Sequence, residues 1–281
     1  MHLETDILLT GLAFPESPRW REDRLWFTDQ HARKIMTVTA DGEAECVLQT
    51  QDLPGGLGWL PDATLLVVAM TERALYRLTG SGLERYADLS TLAPFHCNDM
   101  VVTSNGRAYV GNFGFDLHAG AAIASTRLVL VEPDGSCRLT ASDLIFPNGS
   151  SITPDGMTFI VAETFAHRLT AFTIDDTGSL HAPRLWADLD QATPDGICLD
   201  AEGALWVASP GTREVIRVKQ GGVITTSIRP LGTPYACMLG GHDRQTLFIL
   251  TAETDDPGQA NTLRSGRIEI ATVNVPGTGL P

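Results

Sequence analysis

Short segments in which apolar residues alternate or run unbroken recur along the chain, at residues 24–28, 64–68, 108–111, 158–161, 204–207 and 246–249. They carry the period-two signature of β-strands, and sustained helical periodicity is almost absent. Tight-turn pairs precede most of them, namely Asn105-Gly106, Asp155-Gly156 and Glu202-Gly203, with Pro61-Asp62 in the second repeat. Asp41-Gly42 and Asp134-Gly135 mark later hairpins. Upstream of each apolar segment lies an anchor, at Glu16, Gly56, Asn98, Asn148, Asp195 and Ala236, with gaps of 40, 42, 50, 47 and 41 residues. That is the period of a propeller blade built from four short antiparallel strands. The pattern predicts an all-β chain folded as one six-bladed β-propeller domain over residues 1–281, with its core shared between neighbouring blades.

The ends of the chain bear on closure. The sixth repeat contains strand-like segments near residues 236–239, 246–252 and 267–275 and lacks a fourth. Residues 4–10 also read as a strand, so the N-terminal segment is expected to supply the missing outer strand and close the ring without an open seam. If the tight hairpins occupy one face, the connections between second and third strands share the opposite face with the links between blades. The two longest irregular stretches, residues 112–125 and 253–266, are connections of that kind. They are expected around the channel mouth on which the anchors converge.

Charge and cysteine usage narrow the function classes. The formal net charge is −14, and no run of like charge exceeds two residues, so the acidity is spread over the surface. Nucleic acid and anionic membranes are therefore poor partners. The five cysteines, at 46, 97, 137, 198 and 237, are odd in number and include no C-x-x-C pair, which points to free thiols. The first six residues carry acids where a signal peptide needs a basic region, and the longest unbroken apolar stretch, residues 65–70, is far too short for a membrane span. A cytoplasmic protein is expected. The sequence leaves the oligomeric state open.

The anchors offer the candidate chemistry. Glu16 lies in F-P-E-S-P-R-W, Asn148 in F-P-N-G and Asp195 in T-P-D-G. Each frame alone is compatible with an ordinary turn. At equivalent repeat positions, however, two carboxylates and one or two amide oxygens gather a charge of −2 with no thiolate or imidazole, a set suited to Ca²⁺ or another hard dication. The small anchors Gly56 and Ala236 are expected to leave room for a substrate beside these oxygens. His31 and His167 occupy similar places in second-to-third links, where either reaches substrate or caps a turn. The tryptophans at 20, 26, 59, 186 and 206 are assigned to packing.

The segments E-S-P-R-W with L-W-F-T-D, C-N-D-M-V-V-T-S-N-G-R, F-P-N-G-S-S-I-T-P-D-G with A-E-T-F-A-H-R-L, and P-D-G-I-C-L-D-A-E-G-A-L-W-V-A resemble the regucalcin/gluconolactonase family of six-bladed propellers, over essentially the whole chain. The resemblance implies a metal-dependent lactonase. It assigns Glu16, Asn148 and Asp195 as metal ligands, and Asn98 as a substrate contact or a further metal oxygen. Ca²⁺ is the first choice of metal, with Zn²⁺, Mn²⁺ and Fe²⁺ as the others associated with such sites. The implied chemistry is opening of a small lactone to its hydroxy acid, the metal polarising the ring carbonyl and Asp195 activating water, with Asp99 as the rival base. Two alternatives share the fold: an organophosphate or ester hydrolase, and a calcium-binding or ligand-binding propeller without turnover. One departure concerns the substrate. Relatives acting on sugar lactones often carry Arg two residues before the Asn of the third blade, where this chain has His96. Asp116 is the only carboxylate of the third-blade loop, and Phe113 and Phe115 beside it suggest a less polar pocket. His96 and Asp116 thus join Asn98, His31 and His167 as candidate substrate contacts.

Overall fold

The computed structural model describes residues 4–280, so the first three residues of the acidic N-terminal segment and Pro281 lie outside it. The described residues form six four-stranded antiparallel sheets. Five are made from consecutive strands. The sixth combines Thr233–Gly240, Thr246–Ala252 and Gly266–Thr272 with the N-terminal strand Asp6–Leu12, which pairs with Gly266–Thr272 as the outermost strand. The ring therefore closes through hydrogen bonds between the two ends of the chain, from Asp6 opposite Ile270 to Leu12 opposite Gly266. Among the described residues this leaves no open seam between the first and last blades.

The two inner strands of each blade are deeply enclosed, the second as much as the first. All five residues of Leu65–Ala69, Ala108–Asn112 and Leu205–Ser209 are buried. A strand packed by neighbouring blades on both faces has no solvent side, which explains why these segments read as runs of Leu and Val rather than as strict alternation. Packing crosses the blade boundaries. Leu66 and Val68 of blade two share a cluster with Met100 and Val110 of blade three, and Leu25 and Phe27 of blade one share another with Phe248 of blade six. Each such side chain contributes about 1.5–3 kcal/mol by leaving water. Trp20 stacks on Phe248 at 5.3 Å, Trp26 meets Trp59 edge-on at 5.4 Å, and Trp206 is buried in the shared core.

The long connection of blade six contains the short helix Pro257–Leu263, absent from the strand pattern. The Asp256 side chain caps it, accepting from Gln259 N at 2.8 Å. At the other end of the channel, the C-terminal tail runs across the ends of inner strands. Thr278 N donates to Leu199 O at 3.0 Å, and Leu280 exchanges backbone bonds with Ile152 at 2.8 and 3.1 Å. No helix among the described residues is long and apolar enough to cross a membrane.

Candidate active site

In five of the six blades the inner strand begins with a local irregularity. The ladder slips between Glu16 and Arg19 in blade one, Pro54 and Leu57 in blade two, Cys97 and Met100 in blade three, Pro147 and Ser150 in blade four, and Pro234 and Ala236 in blade six. A bulge at a strand entry re-aims the side chain it carries. Aligned on the preceding residue, the equivalent positions are Glu16 after Pro15, Gly55 after Pro54, Asn98 after Cys97, Asn148 after Pro147, Asp195 after Pro194 and Tyr235 after Pro234. The anchors of blades two and six are therefore Gly55 and Tyr235, one residue before the expected Gly56 and Ala236.

The position after each anchor has a different duty, because there the inner strands crowd together around the axis. A Cβ added to Gly149 would lie 2.6 Å from Ile197 N, and one on Gly196 would lie 2.6 Å from the Cα of Ala236. At Gly56 the nearest obstacle is the Met100 backbone nitrogen, followed by the carbonyl carbon and Oδ1 of Asp99, both at 2.9 Å. Gly56 and Ala236 are small so that neighbouring backbones can approach, and they do not open space for a substrate.

The space is a cavity of about 420 Å³ at the anchor end of the channel, lined by Glu16, Asn98, Asn148, Asp195 and Tyr235 together with side chains from the surrounding loops. A hydrogen-bonded chain crosses three blades at its base. Asn98 Nδ2 donates to Asn148 Oδ1 at 3.0 Å, Asn148 Nδ2 donates to Thr164 Oγ1 at 3.3 Å, and Thr164 Oγ1 donates to Pro194 O at 2.8 Å, next to Asp195. Glu16 accepts from Ser17 N at 2.6 Å, and Ser17 holds a left-handed backbone with φ +50° to make this turn.

The electrostatics set these acids apart. Burial pushes the Glu16 carboxyl up to about 8; the Ser17 N–H opposes this, the Asp99 charge adds to it and Arg19 opposes it again. Asp195 is also held well above the ordinary carboxylate range, first by burial and then by the fields of Glu16, Asp99 and Asp255, with the Asn148 amide partly offsetting them. Both acids resist ionisation, and Glu16 adds to the field on Asp195, so the site is short of positive charge.

Asp99 is tied into the frame. Its Oδ1 lies 2.6 Å from Arg19 Nη2 and accepts from Met100 N at 2.8 Å, while Arg19 Nε donates to Leu57 O at 3.0 Å. This buried pair knits blades one, two and three together, and Asp99 does not line the cavity.

The remaining candidates fall into two groups. His31 and His96 line the cavity, and burial lowers the pKa of both, favouring neutral rings. His31 Nε2 is 3.0 Å from Asp255 O and its ring stacks on Phe14, whereas His96 stacks on Phe95 at 4.1 Å. His167 and Asp116 do not line it. The His167 ring bonds to Ala192 O at 2.9 Å, and Asp116 accepts from Ala119 N at 3.0 Å to fasten its own loop. The cavity also takes in Tyr235, Thr164, His118 and Asp255, which the sequence pattern did not single out. Tyr235 had a signal, since T-P-Y at 233–235 copies T-P-D at 193–195. His118 and Asp255 sit in the two long loops, where no periodicity marks a side chain.

Among the described residues there is no group of three or more His, Cys, Asp or Glu able to hold a metal. The set at the cavity base is instead two carboxylates with amide oxygens. Its chemistry fits a hard cation: all donors are oxygen, and the protein supplies Glu16 and Asp195 with too little positive charge to ionise both.

Comparison with known proteins follows the fold. Zebrafish (Danio rerio) regucalcin is 25% identical over 244 residues, covering 84% of this chain and 82% of its own. A 6-deoxy-6-sulfogluconolactonase of Pseudomonas putida is 25% identical over 277 residues, covering 95% and 93%. The crystal structure of a calcium-binding regucalcin from Agrobacterium tumefaciens superposes with a TM-score of 0.83 at 21% identity, over 100% of this chain and 97% of that one, a likeness of fold. The family model described as the SMP-30/gluconolactonase/LRE-like region matches residues 14–253, and the chain belongs to that family.

Proposed function

We propose that the protein is a metal-dependent hydrolase that opens a small lactone to its hydroxy acid. The observation that carries this reading is the convergence of Glu16, Asn148 and Asp195 on one cavity, with both carboxyls raised by burial. The similarity to a sulfogluconolactonase across nearly the whole chain supports the reaction class.

Glu16, Asp195 and the Asn148 side-chain oxygen would hold the ion, with Asn98 as a further oxygen. When bound, a divalent cation supplies the charge that polarises a lactone carbonyl and stabilises the oxyanion. The all-oxygen donor set favours Ca²⁺ over Zn²⁺, Mn²⁺ or Fe²⁺. The protein's own groups do the rest. Asp195, once ionised, takes a proton from a water poised over the ring carbonyl carbon and returns it to the departing ring oxygen. Asn98 Nδ2, which donates to Asn148 Oδ1 at 3.0 Å, fixes how the Asn148 amide is presented at the cavity base. His31 and His96, neutral because they are buried, shield the base from bulk water without adding charge.

The test is acid release from a panel of lactones by purified protein, before and after treatment with a chelator and after return of each candidate metal. Hydrolysis is expected to vanish on chelation and return with Ca²⁺ or one of the other three. Hydrolysis at an undiminished rate in metal-stripped protein would overturn the reading.

A further inference from the structure

Resting on the lactonase reading, we infer that the substrate is a lactone bearing an apolar alkyl or aryl substituent rather than a polyhydroxylated or anionic sugar lactone. Above the polar base, one side of the cavity is aromatic. Phe113 stacks on Phe146 with centroids 4.6 Å apart, and Phe165 meets Phe146 edge-on at 4.9 Å, all three facing the cavity. Phe115 supports Phe146 and Phe165 from behind at 5.8 and 6.0 Å, so the wall is fixed by packing on both sides. Leu53, Met70 and Leu117 continue the same surface.

The polar inventory points the same way. No Lys or Arg lines the cavity among the described residues, while Glu16, Asp195 and Asp255 do. A sulfonate or carboxylate on the substrate would find no cation on the walls and three acids nearby. A sugar lactone needs a partner for each ring hydroxyl that it buries, because an unpaired buried hydroxyl is costly. Of the neutral wall groups, Thr164 Oγ1 already donates to Pro194 O and His31 Nε2 is held by Asp255 O, which leaves Gln30, His118, Thr193 and Tyr235 to meet several hydroxyls. His96 stands where a guanidinium would offer five donors, and it offers one as a neutral ring. A volume of about 420 Å³ falls within the range of pockets that enclose drug-sized ligands, ~300–1,000 Å³, so a ring with a side arm fits.

The experiment compares kcat/KM of the metal-loaded protein for γ-nonalactone, which carries a pentyl arm, for unsubstituted γ-butyrolactone and for glucono-δ-lactone above its uncatalysed background. The expected order places γ-nonalactone at least ~100-fold above glucono-δ-lactone, as the difference of several buried methylenes allows. Phe165→Ala is expected to lower the ratio of γ-nonalactone to γ-butyrolactone about tenfold, measured below the melting temperature of the variant. Leu117→Arg, on the loop side of the same wall, is expected to narrow the gap between γ-nonalactone and glucono-δ-lactone. Preference for glucono-δ-lactone or a sulfonated analogue over γ-nonalactone in the unaltered protein overturns this inference and leaves the lactonase reading standing. Absence of hydrolysis of every lactone under metal loading overturns both.

Discussion

The carboxylates that point inward in this propeller fall into two populations. Asp29, Glu163, Asp200 and Glu269 are almost wholly enclosed, and each is saturated by the protein. Asp200 accepts from Glu202 N and Ala204 N at 2.9 and 3.0 Å and pairs with Arg217 at 2.6 Å. Glu163 accepts from Ile145 N at 2.8 Å and from Arg168 and Thr170, while Glu269 takes Leu231 N, Gly232 N and Thr251 Oγ1. Asp29 receives Ala13 N and Phe14 N. In Asp29, Glu163 and Glu269 the carboxylate pins the link that leads into an inner strand. Glu16 and Asp195 are half-buried at the cavity base, yet Glu16 receives a single backbone donor, and for Asp195 the Asn148 amide offsets only part of what holds its carboxyl protonated. One population holds the ring together. The other is left for something outside the protein to satisfy.

Substitutions in the two populations should therefore act with opposite sign on stability. The largest effect belongs to the frame: Arg217→Ala leaves Asp200 charged and unpaired in the core, which costs about 3–5 kcal/mol and is read as a melting temperature lowered by roughly 10 °C. Protein that remains folded at low temperature should keep its activity, because the pair lies away from the cavity. Asp195→Asn removes a charge that the fold disfavours. Metal-free protein carrying it should melt at or above the temperature of the unaltered chain, while lactone turnover falls by ~10²–10⁴ through loss of the general base. A folded, metal-loaded Asp195→Asn protein with full activity would move Asp195 into the structural population and end the comparison.

The difference between the populations also explains what was legible in the sequence. The ring, its six blades and its closure by the N-terminal strand follow from periodicity and turn chemistry, because each blade repeats the same burial problem and solves it with the same residue types. Glu16, Asn98, Asn148 and Asp195 stand out because they break that repeat at equivalent places. The one-residue error at blades two and six came from aligning on small residues, whereas the structure aligns on the residue that precedes the bulge, where Gly55 and Tyr235 fall. The frame acids were hidden for a physical reason. Glu163 and Glu269 pin the backbone N–H groups of Ile145, Leu231 and Gly232 in the links they fasten, and such groups carry no side-chain signature. His118 and Asp255 were hidden because long loops place side chains through contacts that no local pattern encodes. His31 and His167 looked alike in sequence, and only packing distinguishes the ring that faces the cavity from the one that fastens a turn.

The smallest effect sharpens the comparison most directly, because it titrates the unsatisfied population alone. With its carboxyl raised from 4.5 to about 8 in the folded chain, Glu16 stabilises the metal-free protein fully below pH 4.5, and that contribution is lost as the pH rises towards 8. Between those limits the unfolded chain gives up the proton while the folded chain keeps it, so this group tilts stability downward with rising pH. The tilt is measured as the difference in melting temperature between the unaltered protein and Glu16→Gln, each stripped of metal, from pH 5 to 8. The gap should widen steadily in favour of Glu16→Gln. A cation at the base reverses the balance, since it favours both carboxylates in their charged forms and must displace the proton to bind. Calorimetric titration with Ca²⁺ at pH 7 in two buffers of different ionisation enthalpy should therefore register about one to two protons released per ion, with affinity rising between pH 6 and 8. If binding releases no proton and the two melting curves run parallel, then Glu16 is ionised in the free protein, and the fold itself supplies the positive charge that the cavity otherwise lacks.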